Sequence, residues 1–430
     1  MRAMKDSGVD WIGEIPIQWQ LVPTKRVFKG KKQIAGANSE MYERLALTMN
    51  GVVKRNKDDN EGLQPEQFDS YQILESNELV FKLIDLQNIR TSRVGLSPYT
   101  GIVSPAYIIL TNTKSDNRFY YYWYFDMYNR CVFNRMGGDG VRSALNLKDV
   151  LEIPIPMISD AEQQRIAEFL DRKCAEVDEM IALQEQIIEE LKAYKQSVIT
   201  EAVTKGLNPD APMRDSGIEW IGNIPEHWEV KRIRNIGLTQ NGISKGGEYF
   251  GEGDPFISYG DVYKNTELPQ IASGLIQSSQ EEQERFSVCK GDVFFTRTSE
   301  TIEEIGFSST CTKTIEKAVY AGFVIRFRPR CGILYDGYSK YYFRSNIHRA
   351  YFVKEMNIVT RASLSQDLLK SLAVLLPTFE EQQAIADYLD KKCGEIDELI
   401  AIKQSKIDSL KEYKKSIIYE YVTGKREVNE

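Results

Sequence analysis

The residues of this 430-residue chain best equipped for chemistry are arginines and lysines set in polar turns. Their chemistry is the binding of phosphate or base edges, because a guanidinium donates two parallel hydrogen bonds from a rigid fork. Arg142, in GGDGVRSALNLKDV, and Arg361, in NIVTRASLSQDL, stand at such turns 219 positions apart. Each precedes a segment that runs to a proline-bounded exit, at Pro154 and Pro156 or at Pro377. A phosphate or guanine contact suits both, and an ion pair or a capping role explains their repetition equally well. Lys54, Arg55, Lys57, Arg90, Arg93 and Arg135 are further candidates for contact with DNA, as are Lys245, Arg297, Arg344 and Arg349. About a third of such surface cations would be expected to touch nucleic acid.

Bond-making machinery is missing from the sequence. There is no GxxxxGK[ST] phosphate loop, and no Asn or Asp followed by Pro-Pro-Tyr or Pro-Pro-Phe, with Ser104-Pro105-Ala106-Tyr107 a poor imitation. FGEG at Phe250 reads as turn glycines. Two histidines, His227 and His348, give little material for acid–base or metal chemistry. The six cysteines never fall into a CxxC spacing, which points to neither zinc nor a disulfide framework, so no catalytic and no metal residue is expected. The sequence lacks an apolar run of roughly 18 residues, and its start is polar, so a cytoplasmic location is expected.

The elements that must carry the cations occur twice. MKDSGVDWIGEIPIQW from Met4 returns as MRDSGIEWIGNIPEHW from Met213, an offset of 209. EQQRIAEFLDRKCAEVDEMIA from Glu162 returns as EQQAIADYLDKKCGEIDELIA from Glu381, an offset of 219, and continued to Thr204 and Thr423 this pair shares 24 of 43 positions. The order is opening motif, variable region, long helix, then the same again. Leu170, Val177, Gln184, Leu191 and Val198 recur every seven residues, as do Leu389, Ile396, Lys403, Leu410 and Ile417. That is a helix-pairing seam, with Met180, Ile187 and Tyr194, or Leu399 and Tyr413, on the companion positions. Polar Gln184 and Lys403 would fix register. Two helices of roughly 65 Å in one chain are expected to pair antiparallel.

The net charge of −7 lies wholly in these helices: 162–204 has 10 acidic and 5 basic residues, and 381–423 has 9 and 7. The remainder is neutral overall and can still present a basic face. Residues 20–155 and 229–376 carry short β-type runs, such as LVFKL at Leu79 and AGFVIRF at Ala321, between turn clusters. Aromatic-rich helices from Phe119 and from Tyr338 are expected to close their cores. The fold class is α+β: two α/β recognition domains separated by two long antiparallel coiled-coil helices, with a pseudo-twofold duplication. Domain bounds are 1–155, 156–208, 209–376 and 377–430.

DSGVDWIGEIPIQW, EQQRIAEFLDRKCAEVDEMIA, GDVFFTRTSETIEEIG and GIVSPAYIIL together resemble the specificity subunits of type I restriction-modification enzymes. The resemblance covers essentially the whole chain. It implies that each of two target-recognition domains reads one half of a bipartite site in double-stranded DNA, with the long helices setting the spacer. It also implies assembly with two modification (methyltransferase) subunits and two restriction (translocase) subunits. S-adenosylmethionine, ATP and Mg would then belong to those partners, and this chain would bind no cofactor and catalyse nothing. A coiled-coil scaffold without DNA specificity, and a specificity subunit for a fused restriction-methylation enzyme, are the alternatives.

Overall fold

The computed structural model describes residues 2–49, 51–57, 67–84, 86, 93–114, 116–136, 144–299, 305–348, 351–352 and 362–428. Two compact units divide the chain: Met1–Glu185 with Ser405–Glu430, and Gln186–Gln404. Each contains one variable region and part of both long helices.

In the first unit, β1 (Lys29–Lys31), β2 (Arg44–Thr48), β3 (Gly51–Arg55), β4 (Gln72–Leu74), β5 (Leu79–Lys82), β6 (Arg93–Leu96), β7 (Gly101–Val103) and β8 (Ile108–Thr111) form two four-stranded sheets. Their orders are β1-β8-β5-β6 and β3-β2-β7-β4, with only β2 and β7 parallel. Apolar alternation is lost in β5 because Leu79, Val80 and Phe81 are buried on both faces. The stretch GIVSPAYIIL splits into β7 and β8 around a Ser-Pro turn. Helix α1 (Arg118–Asn129) lies between sheet and long helix, which accounts for its aromatic residues on all sides. Phe28 and Phe81 meet Tyr120 and Tyr124 edge-on at 5.2 and 5.0 Å.

The second long stretch of sequence repeats this plan. Helix α2 (Asp160–Lys205) precedes β9 (Gly237–Asn241), β10 (Phe250–Ile257), β11 (Gly274–Ile276), β12 (Val293–Thr296), β13 (Ser308–Thr310), β14 (Val319–Tyr320) and β15 (Val324–Pro329). The order β9-β15-β12-β13 matches β1-β8-β5-β6, and β11-β10-β14, again with one parallel pair, matches β3-β2-β7. Helix α3 (Asp336–Tyr342) takes the place of α1, and α4 (Phe379–Val422) is the second long helix.

The long helices run antiparallel within each unit. In the first, the tilted rings of Phe169 and Tyr421 meet with centroids 4.3 Å apart, and Lys414 meets Asp178 at 2.6 Å. In the second, Lys195 meets Asp397 at 2.7 Å. The column Leu170, Val177, Gln184, Leu191, Val198 is buried or half-buried, as is Leu389, Ile396, Lys403, Leu410, Ile417. The companion column corrects the sequence reading in part: Ile187 is half-buried, as expected, and the other four positions are not. Met180, Tyr194, Leu399 and Tyr413 are exposed. The interior is completed instead four residues after each seam position, by Cys174, Ile181, Ile188, Lys195 and Ala202, and by Cys393, Ile400, Ile407, Lys414 and Tyr421. Both spacings fit a heptad, and apart from Tyr421, which meets Phe169, the column is filled by small side chains or ones with an aliphatic stem. Gln184 is 6% exposed, and its Oε1 lacks a partner among the described residues.

The helix ends dock on the opening motifs. Trp19 and Trp228 are both buried. Gly424, beyond the end of α4, lies against Pro16 and Trp19, and Gly206, beyond α2, lies against Trp228. Arg2 pairs with Glu427 and with Glu162, so the first and last described segments meet.

Candidate nucleic-acid interface

Each variable region is fastened to its helix by the same bonds. The Tyr122 hydroxyl donates to Asp171 at 2.7 Å, and Tyr341 donates to Asp390 at 2.6 Å. A cation completes each cluster, Arg118 on Asp171 at 2.6 Å and Lys340 on Asp390 at 2.7 Å. Burial, with the carboxylate beside it, pushes both phenols well above the usual tyrosine range. Gln163 and Gln382 each donate from Nε2 to the carbonyl five residues back, of Ile158 and Pro377, fixing the exit strand against the helix start. Tyr, Asp and Gln at offset 219 were the available signal for these anchors, hidden among the many tyrosines and acids of the chain.

On this frame the candidate cations separate into groups. Lys54 is exposed over the Tyr99 ring and is held by Glu43 at 2.5 Å. Lys57 bonds Glu40 and the Ser39 carbonyl at 3.0 and 3.1 Å. Arg135 is exposed at the end of a short helix, Val132–Met136. Lys245 is turned onto Glu282 at 2.6 Å and the Gln277 carbonyl at 2.8 Å, and holds the Glu282 carboxyl below its usual range. Arg297 is half-buried, its backbone bonded to Phe323 and Leu364. Arg344 is a correction: it donates to the carbonyls of Tyr263 at 2.8 Å and Ser308 at 3.1 Å, with Phe307 4.4 Å away. Its burial lowers its pKa, and a guanidinium spent on backbone carbonyls ties the fold together instead of facing solvent. Arg90, Arg142, Arg349 and Arg361 lie outside the described residues.

Arg55 and Arg93 are brought together, on β3 and β6, which pack on one another. Arg55 sits directly opposite Arg44 of β2, and Arg93 opposite Lys82 of β5. Gly95 permits the approach: a Cβ there would lie 2.6 Å from Leu47 and 3.1 Å from Val52. Tyr107, immediately before β8, lies within electrostatic reach of these arginines. Burial and the neighbouring Tyr71 raise its pKa, while Arg44, Arg55 and Arg93 pull it back. Arg44, only 8% exposed, stacks over Phe68 at 5.6 Å and donates to the Asn56 carbonyl at 3.3 Å. Sequence reading missed Arg44 and Tyr107, one a cation inside a strand and the other a ring in an apolar run.

Among the described residues no group of three or more His, Cys, Asp or Glu could hold a metal ion, and all six cysteines are free. No described helix is long and apolar enough to cross a membrane.

Comparison with known proteins fits this frame. Residues 24–193 and 225–412 each match the model of the type I restriction modification DNA specificity domain. The specificity subunit of the type I restriction enzyme EcoKI from Escherichia coli K12 is 30% identical over 245 residues, 55% of this chain and 49% of that protein. The putative MjaX specificity subunit from Methanocaldococcus jannaschii is 26% identical over 66% of this chain and 62% of its own length. The chain thus spans about half to three-fifths of these relatives. Among solved structures, a chain from a type I R-M system assembly matches with TM-score 0.69 at 15% identity, covering 95% of this chain and 98% of that one. The HsdS subunit of Thermoanaerobacter tengcongensis matches with TM-score 0.51, also at 15%, over 96% and 98%. With two copies of the domain spanning most of its length, the chain belongs to the type I restriction modification DNA specificity family.

Proposed function

We propose that this chain is the sequence-reading subunit of a type I restriction-modification complex, non-catalytic itself, in which each unit reads one half of a bipartite site in double-stranded DNA. The observation that carries this is identical fastening of unlike heads. The Tyr–Asp–cation and Gln anchors repeat, whereas the cations above them do not: Arg44, Arg55 and Arg93 converge in the first unit, while Lys245 and Arg344 turn inward in the second. Two readers of different half-sites on one duplicated frame need that arrangement.

The long helices offer the partner surface. Met180, Leu183 and Tyr413 are exposed in the first unit, and their repeat equivalents Leu399, Ile402 and Tyr194 are exposed in the second. Exposed apolar residues that recur on both long helices suit two copies of one partner, the modification subunit. S-adenosylmethionine, ATP and Mg would reside on the modification subunits and on two restriction subunits in the cytoplasm. Co-expression with the neighbouring modification subunit in a host free of DNA methylation, followed by sequencing of methylated adenines, is expected to return a split motif. Methylation without sequence preference, or an unsplit motif, refutes the reading.

A further inference from the structure

We infer that Arg297 and Phe323 form a base-reading pair in the second unit, the guanidinium taking the O6 and N7 edge of a guanine and the ring the methyl group of an adjoining thymine; this rests on the function proposed above. Arg297 sits on the duplicated frame. Its carbonyl accepts from the Leu364 N–H at 2.7 Å, as the Leu83 carbonyl of the first unit accepts at 3.0 Å from Leu145, the repeat counterpart of Leu364. Each acceptor directly follows the matching strand, β12 or β5. Leu83 is buried there, whereas Arg297 is half-buried. A position that the fold can fill with leucine thus carries a charge, and among the described residues its guanidinium has neither a hydrogen-bond acceptor nor a carboxylate. The other recessed arginines described in the second unit, Arg326, Arg328 and Arg344, are all spent on acceptors. A partly desolvated, unpaired charge is unfavourable until a ligand supplies the acceptors.

The choice of base over phosphate follows from Phe323. The β12–β15 ladder pairs Phe295 with Ile325 and Thr296 with Val324, so Arg297 and Phe323 stand opposite one step further on, joined by a bond from the Arg297 N–H to the Phe323 carbonyl at 3.0 Å. Residues opposite one another share a face of the sheet. Two residues inward on that face Phe295 and Ile325 are buried, while Phe323 is 64% exposed. The turn that presents the ring is held closely: the Val324 N–H donates to the Ala321 carbonyl at 3.0 Å, and a Cβ on Gly322 would come within 3.0 Å of the Ile243 carbonyl oxygen. A phosphate has no apolar surface for such a ring to cover. Base pairs in the major groove present the acceptors of guanine and the methyl group of thymine side by side. An arginine fork beside a fixed apolar ring therefore fits base edges better than it fits the backbone.

The test uses the whole chain with its modification subunit and reads methylated adenines. Arg297→Lys keeps the charge and removes the fork, and Arg297→Leu gives the position the side chain of its counterpart Leu83. Each is expected to relax one G·C position of one half-site, with discrimination there falling about 5- to 150-fold, and to leave the other half-site and the spacer unchanged. Phe323→Ala, at an exposed position, is expected to relax a neighbouring A·T position of the same half-site by roughly 4-fold, the worth of one buried methyl group, and serves if an Arg297 variant fails to assemble. A motif unchanged in these variants, relaxation at unrelated positions, weaker modification uniform across sequences, or a change in the other half-site overturns the inference while the functional reading stands. Absence of any split motif with the wild-type chain overturns both.

Discussion

Replacing Gly424 and Gly206 by alanine, one at a time, separates two physical effects at equivalent joints. Both glycines follow a long helix in the left-handed region, at φ +70° and +74°. An L-residue there costs roughly 1–2 kcal/mol. The surroundings differ: a Cβ on Gly424 would lie 2.6 Å from Pro16 Cγ and 2.9 Å from Trp19 Cη2, whereas one on Gly206 meets Trp228 Cζ2 at 3.2 Å. Overpacking of the first kind adds about 1–3 kcal/mol. Gly424→Ala is therefore expected to cost about 2–5 kcal/mol and Gly206→Ala about 1–2 kcal/mol. Guanidinium unfolding followed by tryptophan emission reads both, since Trp19 and Trp228 are buried beside the substituted sites. Hydrogen exchange over the opening motifs assigns the loss to one unit. Equal costs, or a larger one at Gly206, would refute the steric reasoning.

The domain anchors give a matched pair: Tyr122→Phe and Tyr341→Phe each remove one hydrogen bond to a carboxylate, and each is expected to destabilise its own unit by about 1–2 kcal/mol in denaturant titration, with neither affecting the other unit's protection from exchange. Lys245→Met is expected to raise the Glu282 pKa toward the ordinary glutamate value in a carboxyl NMR titration, because the Lys245 bond is the chief cause of its depression. Since the folded-state pKa is the lower one, the linked stability is full above the unfolded value, roughly 4.3, and is lost as pH falls through the folded value; the variant should show a weaker acid dependence, with the bonds from Ser279 still in place.

Much of the architecture was legible because duplication makes a chain its own control. The seam at Leu170, Val177 and Val198 was visible as apolar residues seven apart, and its recurrence at Leu389, Ile396 and Ile417 removed the ambiguity. The other half of the interface was not, since Cys174, Lys195 and Lys414 are not strongly apolar while Tyr194 and Leu399, which are, face outward. Recognition residues were harder. A surface arginine and a structural one share a letter, and only burial shows that Arg344 is committed to carbonyls. Arg44 becomes notable only once strand register sets it opposite Arg55.

The bridges Asp178–Lys414 and Asp397–Lys195 have a further consequence. Asp178 and Asp397 are the same repeat position, as are Lys195 and Lys414, so each bridge takes one member from each copy, across 236 and 202 residues of sequence. A charge lost from one copy therefore orphans its partner in the other. The helices are bound to change together or not at all, whereas a variable region, fastened by a tyrosine and a glutamine-capped exit, can be replaced with little disturbance to its neighbour. The likeness of the two helices and the divergence of the two variable regions are thus two outcomes of one pattern of exchanged contacts.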